Sequence, residues 1–179
     1  MIKITYDINI YRKTLNSILK PDDTVVELGC HIGNTSKLIA KKLSNGKLIS
    51  LDNSPEAISK MNKLENKHHN LEFISGDVRL HNTLEEVYKQ IRKCDVLSVD
   101  LGGGYHPDTV FKVYYIWSST LKPRDTIIRN KGLIDFVKTS QIQEENIESR
   151  YGYLDSHKDE GIPPQIKEFN LWTPNLENK

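Results

Sequence analysis

Val25-Val26-Glu27-Leu28-Gly29-Cys30-His31-Ile32-Gly33-Asn34-Thr35 decides the fold. Thr24 to Leu28 is an apolar run of strand length, and two glycines four apart carry it into a stretch of helical period with Leu38, Ile39 and Leu43 apolar. Glycine in such a turn lets the backbone approach a ligand closely, and the helix that follows opens with unpaired amides suited to a carboxylate or phosphate. A strand, a glycine turn and a helix in this order mark the crevice where open α/β sheets bind ligands.

The same alternation runs outward in both directions. Upstream, a helix within residues 7–20 carries Ile10, Thr14, Leu15 and Ile18 on one stripe and stops before Pro21, because residues preceding proline avoid helical geometry. Downstream, Asn45-Gly46 ends the glycine-turn helix before a strand at Lys47 to Leu51. Asn53-Ser54-Pro55-Glu56 opens the next helix, with Ser54 as the cap, Pro55 at its first position, and Ile58, Met61 and Leu64 inward. Strands follow at Leu71 to Ser75, Asp95 to Val99 and Thr126 to Arg129, and helices at Leu80 to Ile91, Pro107 to Leu121 and Leu133 to Lys138. The class expected is α/β, a doubly wound, mostly parallel sheet with helices on both faces. Residues 1–179 read as one domain, with the cofactor-binding core at 21–138 and an edge segment at 139–179. In that segment Arg150 to Leu154 and Ile166 to Trp172 are expected to pair as an antiparallel hairpin on the sheet edge, where a second copy can dock to give a homodimer.

Composition narrows the function classes. Lys plus Arg number 25 and Asp plus Glu 24, a net charge of +1, so nucleic-acid binding would need a local patch. Lys37, Lys41, Lys42 and Lys47 form one strip, read as a solvated helix face. The chain is 37% hydrophobic and 27% charged, and its apolar runs fall well short of the roughly 20 residues that cross a bilayer. Met1 to Asp7 lacks the basic and apolar regions of a secretory signal, so a cytoplasmic location and no membrane partner are expected. Cys30 and Cys94 stand in no Cys/His ladder and read as buried thiols. His68-His69 and Asp155-x-His157 read as solvated, and Tyr114, Tyr115 and Trp117 as core.

The carboxyl ends of successive strands carry Glu27, Asp52, Gly76-Asp77 and Asp100. Asp52 lies at the separation from the glycine turn at which an acidic side chain accepts hydrogen bonds from ribose hydroxyls, which implies a ribose-bearing cofactor. His31 stands where the dinucleotide fingerprint needs its middle glycine, which counts against a nicotinamide oxidoreductase.

Glu27-x-Gly29-x-x-x-Gly33-x-Thr35, Asp52 and Gly76-Asp77 together resemble class I S-adenosylmethionine-dependent methyltransferases, over residues 7–138. The resemblance implies that Glu27 and the turn of Gly29, Cys30, His31, Gly33, Asn34 and Thr35 hold the methionine part of S-adenosylmethionine. It further implies that Asp52 with Asn53 takes the ribose, that Gly76, Asp77 and Val78 bracket the adenine, and that Asp100 reaches the cofactor. The missing middle glycine, Asp100 followed by Tyr105-His106-Pro107-Asp108, and Leu121-Lys122-Pro123 are similar to the catechol-type, cation-dependent O-methyltransferases. In that group the ion is held by the aspartate after the fourth strand and an Asp-Asn pair after the fifth, whereas this chain reads Arg129-Asn130. A guanidinium beside a magnesium ion repels it by several kcal/mol at short range, so no metal is expected.

Methyl transfer to a hydroxyl or amine gains from a general base, for which Asp100 and His106 are the candidates, carried near a Gly102-Gly103-Gly104 loop. Arg129 offers a planar fork for a substrate carboxylate or phosphate, and Tyr105 a further substrate contact. The expected acceptor is a small molecule. The rival readings are a cation-dependent O-methyltransferase and a non-catalytic S-adenosylmethionine- or nucleotide-binding module.

Overall fold

The structure, a computed structural model, describes residues 1–143 and 150–154. The chain runs β1 (Ile2–Thr5), α1 (Ile8–Ile18), β2 (Thr24–Leu28), α2 (Asn34–Lys42), β3 (Lys47–Asp52), α3 (Pro55–Glu65) and β4 (Leu71–Ser75). It continues through α4 (His81–Ile91), β5 (Val96–Val99), a 3-10 turn (Gly102–Gly104), α5 (Pro107–Leu121), β6 (Asp125–Arg129) and α6 (Lys131–Thr139). The strands form one six-stranded sheet in the order β1-β6-β5-β2-β3-β4, every pairing parallel. The expected doubly wound sheet is therefore observed, with β2 at its centre, where the chain order reverses between β5 and β3.

Period-2 alternation divides the buried side chains between two faces. Val26, Leu28, Ile49, Leu97 and Val99 point into one core with Leu84, Val113 and Trp117. Val25, Leu48, Val96 and Ile127 point into the other with Tyr11, Leu15, Ile39 and Met61. Trp117 Nε1 donates to the Val78 carbonyl at 2.8 Å, which ties α5 to the loop after β4.

Four expectations change. Ile2–Thr5 is a strand, unread in the sequence because a four-residue alternating segment at half burial carries little signal; it pairs with β6 from Ile2↔Thr126 to Thr5↔Arg129. That edge is thus held by a parallel strand from the start of the chain, and Tyr151–Tyr153 is a bend rather than part of a hairpin. The proposed partner strand, Ile166 to Trp172, and the Asp155-x-His157 cluster lie outside the described residues. On α1 the inward stripe is Tyr11, Leu15 and Leu19, while Ile10 is 57% exposed, because Tyr11 spends its hydroxyl on buried Ser98 at 2.6 Å and can turn inward. Ile58 is likewise exposed on α3, where Ala57 and Met61 are the buried positions.

Ser54 stands at the α3 cap as expected, but its hydroxyl makes no cap bond. Instead Asp52 Oδ1 accepts from the Ser54 backbone amide at 2.8 Å. Arg124, at the opposite edge of the sheet from the cleft, forks onto buried Asp23 at 2.8 and 3.0 Å and onto Asp125 at 2.8 Å. Among the described residues no helix is long and apolar enough to cross a membrane.

Candidate functional site

The carboxyl ends of β2, β3, β4 and β5 open onto two adjoining cavities. The first, of about 200 Å³, is lined by Leu51, Gly76, Asp77, Val78, Arg79 and Val110 among others. The second, of about 460 Å³, adds His31, Asp100 and Arg129. Gly29, Asp52, Asn53, Leu101 and Gly102 line both, so the cleft turns around the end of β3. Gly29 must be glycine: its φ is +85°, and a Cβ there would lie 2.2 Å from the Asp100 carbonyl oxygen, so any side chain would force the ends of β2 and β5 apart.

Beneath the cleft runs a buried polar row. Ser98, Glu27 and Ser50 sit side by side on β5, β2 and β3. Glu27 is 2% exposed, and its Oε2 accepts from Ser36 at 2.6 Å and from Ser50 at 2.7 Å. Burial pushes its carboxyl up to about 7, against the pull of those two hydroxyls. Glu27 therefore props the glycine turn from below, clear of both cavity linings.

Asp52 has the opposite character. Its Oδ2 accepts from the His31 amide at 2.7 Å, holding His31 at φ 46°, and its Oδ1 accepts from Ser54, while the carboxylate still borders both cavities. Asp77 is more committed. Its Oδ1 accepts from the Arg79 amide and Arg79 Nε, both at 2.9 Å, and its Oδ2 from Arg79 Nη2 at 2.6 Å and Asn53 Nδ2 at 3.3 Å.

In the second cavity Arg129 Nη1 donates to Asp100 Oδ1 at 3.0 Å, and Arg129 Nε to the Tyr6 carbonyl at 2.8 Å. Burial raises the Asp100 carboxyl above the usual carboxylate range, with Arg129 and then Arg12 pulling it back down. Asn130, fully buried, donates to the Tyr105 carbonyl at 2.8 Å and caps α6 by accepting from the Leu133 amide at 2.9 Å. The Tyr6 and Tyr105 hydroxyls meet at 2.8 Å, their rings edge to face at 5.9 Å. The three glycines of the 3-10 turn all have positive φ, and a Cβ on Gly104 would press on the Tyr6 ring at 3.2 Å, so the loop is a close backbone approach to an aromatic wall.

The structure thus gathers Gly29, His31, Asp52, Asn53, Gly76, Asp77, Val78 and Asp100 around one cleft, with Arg129 beside them. It sets others apart. Cys30 is buried with its thiol pushed up by burial, and Thr35 is buried, accepting from Arg12 Nε at 3.1 Å. Gly33 packs on α3 against Met61, and Asn34 lines a groove between α1 and α2. His106, the left-handed cap of α5, lines the first cavity, whereas Asp100 lines the second, so the two candidate bases do not share a cavity. Arg79, Thr109 and Leu101 were missed in the sequence. Asp77-x-Arg79 was legible as a local ion pair, but nothing in the order of residues placed Thr109 on the cleft wall.

A family model described as a methyltransferase domain matches residues 19–147. The chain belongs to this methyltransferase family. Solved structures agree in fold. An rRNA methylase from Streptococcus thermophilus is 16% identical with a TM-score of 0.53, over 78% of this chain and 89% of that one. A Clostridium thermocellum protein described as an rRNA methylase is 19% identical, TM-score 0.52, over 66% of this chain and 68% of that one. Fibrillarin from Aeropyrum pernix, solved with S-adenosyl-L-methionine, is 16% identical, TM-score 0.51, over 69% of this chain and 50% of its own length. No curated protein sequence matches the chain. At these identities the methyltransferase structures share its architecture, and its chemistry is argued from its own residues.

Proposed function

We propose that this methyltransferase uses S-adenosylmethionine, and that it methylates a hydroxyl or amine without a metal ion. The observation that carries the cofactor reading is the turn of the cleft around Asp52, which borders both cavities at the carboxyl end of β3, next to the central strand of a parallel sheet. The two cavities divide as a nucleoside and an amino-acid end would require, with Leu51, Val78, Leu101 and Val110 giving the first an apolar wall for a base. Asp52 and Asn53 take the ribose, and Gly29 and His31 offer backbone to the methionine part. Asp77 enters this reading held by Arg79, so the adenine edge meets an ion pair rather than a bare carboxylate.

S-adenosylmethionine, when bound, would supply a methyl group on a sulfonium sulfur, which bonds to the acceptor as the sulfur leaves as the neutral thioether of S-adenosylhomocysteine. The chain's own residues position that acceptor and exclude water. Asp100 accepts the acceptor's proton, and Arg129 holds Asp100 in place while its Nη2, without a hydrogen bond among the described residues, faces an acceptor oxygen or anionic group. Tyr105, half-exposed and held to Tyr6 and Asn130, stands near Arg129 as a further contact for the acceptor. The residues do not fit a divalent ion: Arg129 already neutralises Asp100, and both polar atoms of the Asn130 amide are engaged. His106, on the nucleoside side, is not assigned the base.

Calorimetry with S-adenosylhomocysteine tests the reading. Micromolar binding is expected, weakened tenfold or more by Asp52→Ala and unchanged by EDTA. A chain that ignores the compound, or an Asp52→Ala variant that binds it equally well, refutes the reading.

A further inference from the structure

The two neighbouring helices α1 and α2 carry charge of one sign. From Ile8 to Ile18 and from Asn34 to Lys42 there is no acidic residue, while Arg12, Lys13, Lys37, Lys41 and Lys42 are basic. None of the five has a carboxylate partner among the described residues, in contrast to Lys47 on Glu72, Lys89 on Glu85, Arg79 on Asp77 and Arg124 on Asp23. With a net charge of only +1 over the whole chain, this concentration is local.

The face is also concave. Asn16 of α1 and Asn34, Lys37, Leu38, Lys41 and Lys42 of α2 line a groove of about 430 Å³ between the helices. Lys37 and Lys41 are four residues apart and so share one side of α2, about 6 Å apart along its axis. The carboxamides of Asn16 and Asn34 add neutral donors beside the ammonium groups, a mixture that suits phosphate oxygens. Arg12 links the groove to the cleft: it donates to Thr35 at the start of α2, and its charge is felt by Asp100.

A second feature lies beside Arg129. Tyr105 is 53% exposed, its ring edge-on to Tyr6, and the Arg129 guanidinium lies 5.7 Å from the Tyr6 ring centre. A cationic groove that tracks a backbone, together with exposed aromatic rings on which a base stacks, is the combination used to hold single-stranded nucleic acid.

We propose that the acceptor is a nucleotide of a single-stranded nucleic acid, its phosphodiester backbone lying in the α1–α2 groove and its reacting ring entering the cleft against Tyr105. The proposal rests on the methyltransferase reading of the cleft and names the acceptor that reading leaves open. It replaces the solvated-face reading of Lys37, Lys41 and Lys42 and the small-molecule acceptor expected from sequence. Lys47 is not part of the surface, since it is paired with Glu72.

Fluorescence anisotropy on the full chain tests it, with labelled single-stranded RNA and DNA of about twelve nucleotides, the matching duplex and poly-glutamate as probes. Single strands are expected to bind, with log K falling against log salt at a slope of about −2 to −3, as three or four phosphate contacts require. RNA binding above DNA would add ribose hydroxyl contacts to the same surface, and equal binding would assign it to phosphate and base alone. The triple variant Lys37→Glu, Lys41→Glu, Lys42→Glu is expected to lose at least tenfold in affinity and most of the salt slope. Tyr105→Ala is expected to lose fivefold or more at unchanged slope. A Lys60→Glu, Lys63→Glu control on α3 is expected to bind as the parent does. Single-strand binding absent, or equal in the triple variant, or matched by poly-glutamate or exceeded by the duplex, overturns the proposal. S-adenosylhomocysteine binding measured in parallel separates the two readings: its retention with loss of strand binding sinks only this one.

Discussion

Glu27 makes the stability of the fold depend on pH in an unusual direction. Its carboxyl ordinarily titrates at 4.5 and in the folded chain is raised to about 7. Below 4.5 the group is protonated whether the chain is folded or not. Between 4.5 and 7 the unfolded chain releases the proton and the folded chain keeps it, so folding becomes less favourable as pH rises. Above 7 the folded chain must carry a buried carboxylate supported only by Ser36 and Ser50. About 2.5 pH units at 1.36 kcal/mol each place the loss at about 3 kcal/mol, which for a chain of this size is a drop of about 6–12 °C in melting temperature. The perturbation is Glu27→Gln, which keeps the shape and a neutral hydrogen-bonding group. Thermal or urea unfolding of both proteins without ligand, at half-unit steps from pH 4.5 to 8, gives a difference curve in which other titrating groups cancel. The variant is expected to gain about 3 kcal/mol on the wild type across that range, the gain building up between pH 4.5 and 7 and levelling off above 7. A flat difference curve, or one in which the wild type gains with pH, refutes the assignment of Glu27 as a buried, protonated prop.

Trp117→Phe removes the donor to the Val78 carbonyl and is expected to cost about 1–3 kcal/mol in urea unfolding while weakening S-adenosylhomocysteine binding, because Val78 lines the cleft. Arg124→Met leaves the Asp23 carboxylate, 2% exposed, without its fork and is expected to destabilise by about 3 kcal/mol, read as a lower melting temperature. Cys30 and Cys94 are buried, with both thiols pushed up by burial, so a thiol reagent at pH 8 is expected to label neither in the folded chain and both in denaturant. Arg129→Asp sets a second carboxylate beside Asp100. Its melting temperature is expected to rise with millimolar manganese while the parent's stays put, as a thermal-shift series will show.

The sheet was legible in the sequence because central parallel strands such as Thr24–Leu28 and Val96–Val99 are buried, mostly apolar runs between turn signals. The cleft was legible because Gly29, Asp52, Asp77 and Asp100 recur at strand ends in phase with that pattern. Partnering was not. Asp77 and Asp100 look alike in sequence, yet one is closed by Arg79 two residues on and the other by Arg129, 29 positions away. Glu27 read as a ligand contact because its position fits the motif; residue order did not show Ser50 and Ser98 beside it in register, nor the Ser36 and Ser50 hydroxyls on its carboxyl. Arg124 is the centre of an ion-pair cluster joining Asp23, 101 positions away, to Asp125, a long-range pairing that residue order does not show.

The pairing of β1 with β6 ties Ile2 to Thr126 across nearly the whole length of the core, and it delivers Tyr6 to Arg129. The first cavity is lined from within residues 29–110, so its lining does not wait for β6. The surface beside Arg129 closes only when β1 finds β6, a slow, long-range step. Under the function proposed above, the wall beside Arg129 is the part of the cleft that depends on this long-range closure, and a partly made molecule is poorly equipped to spend a methyl group on the wrong target.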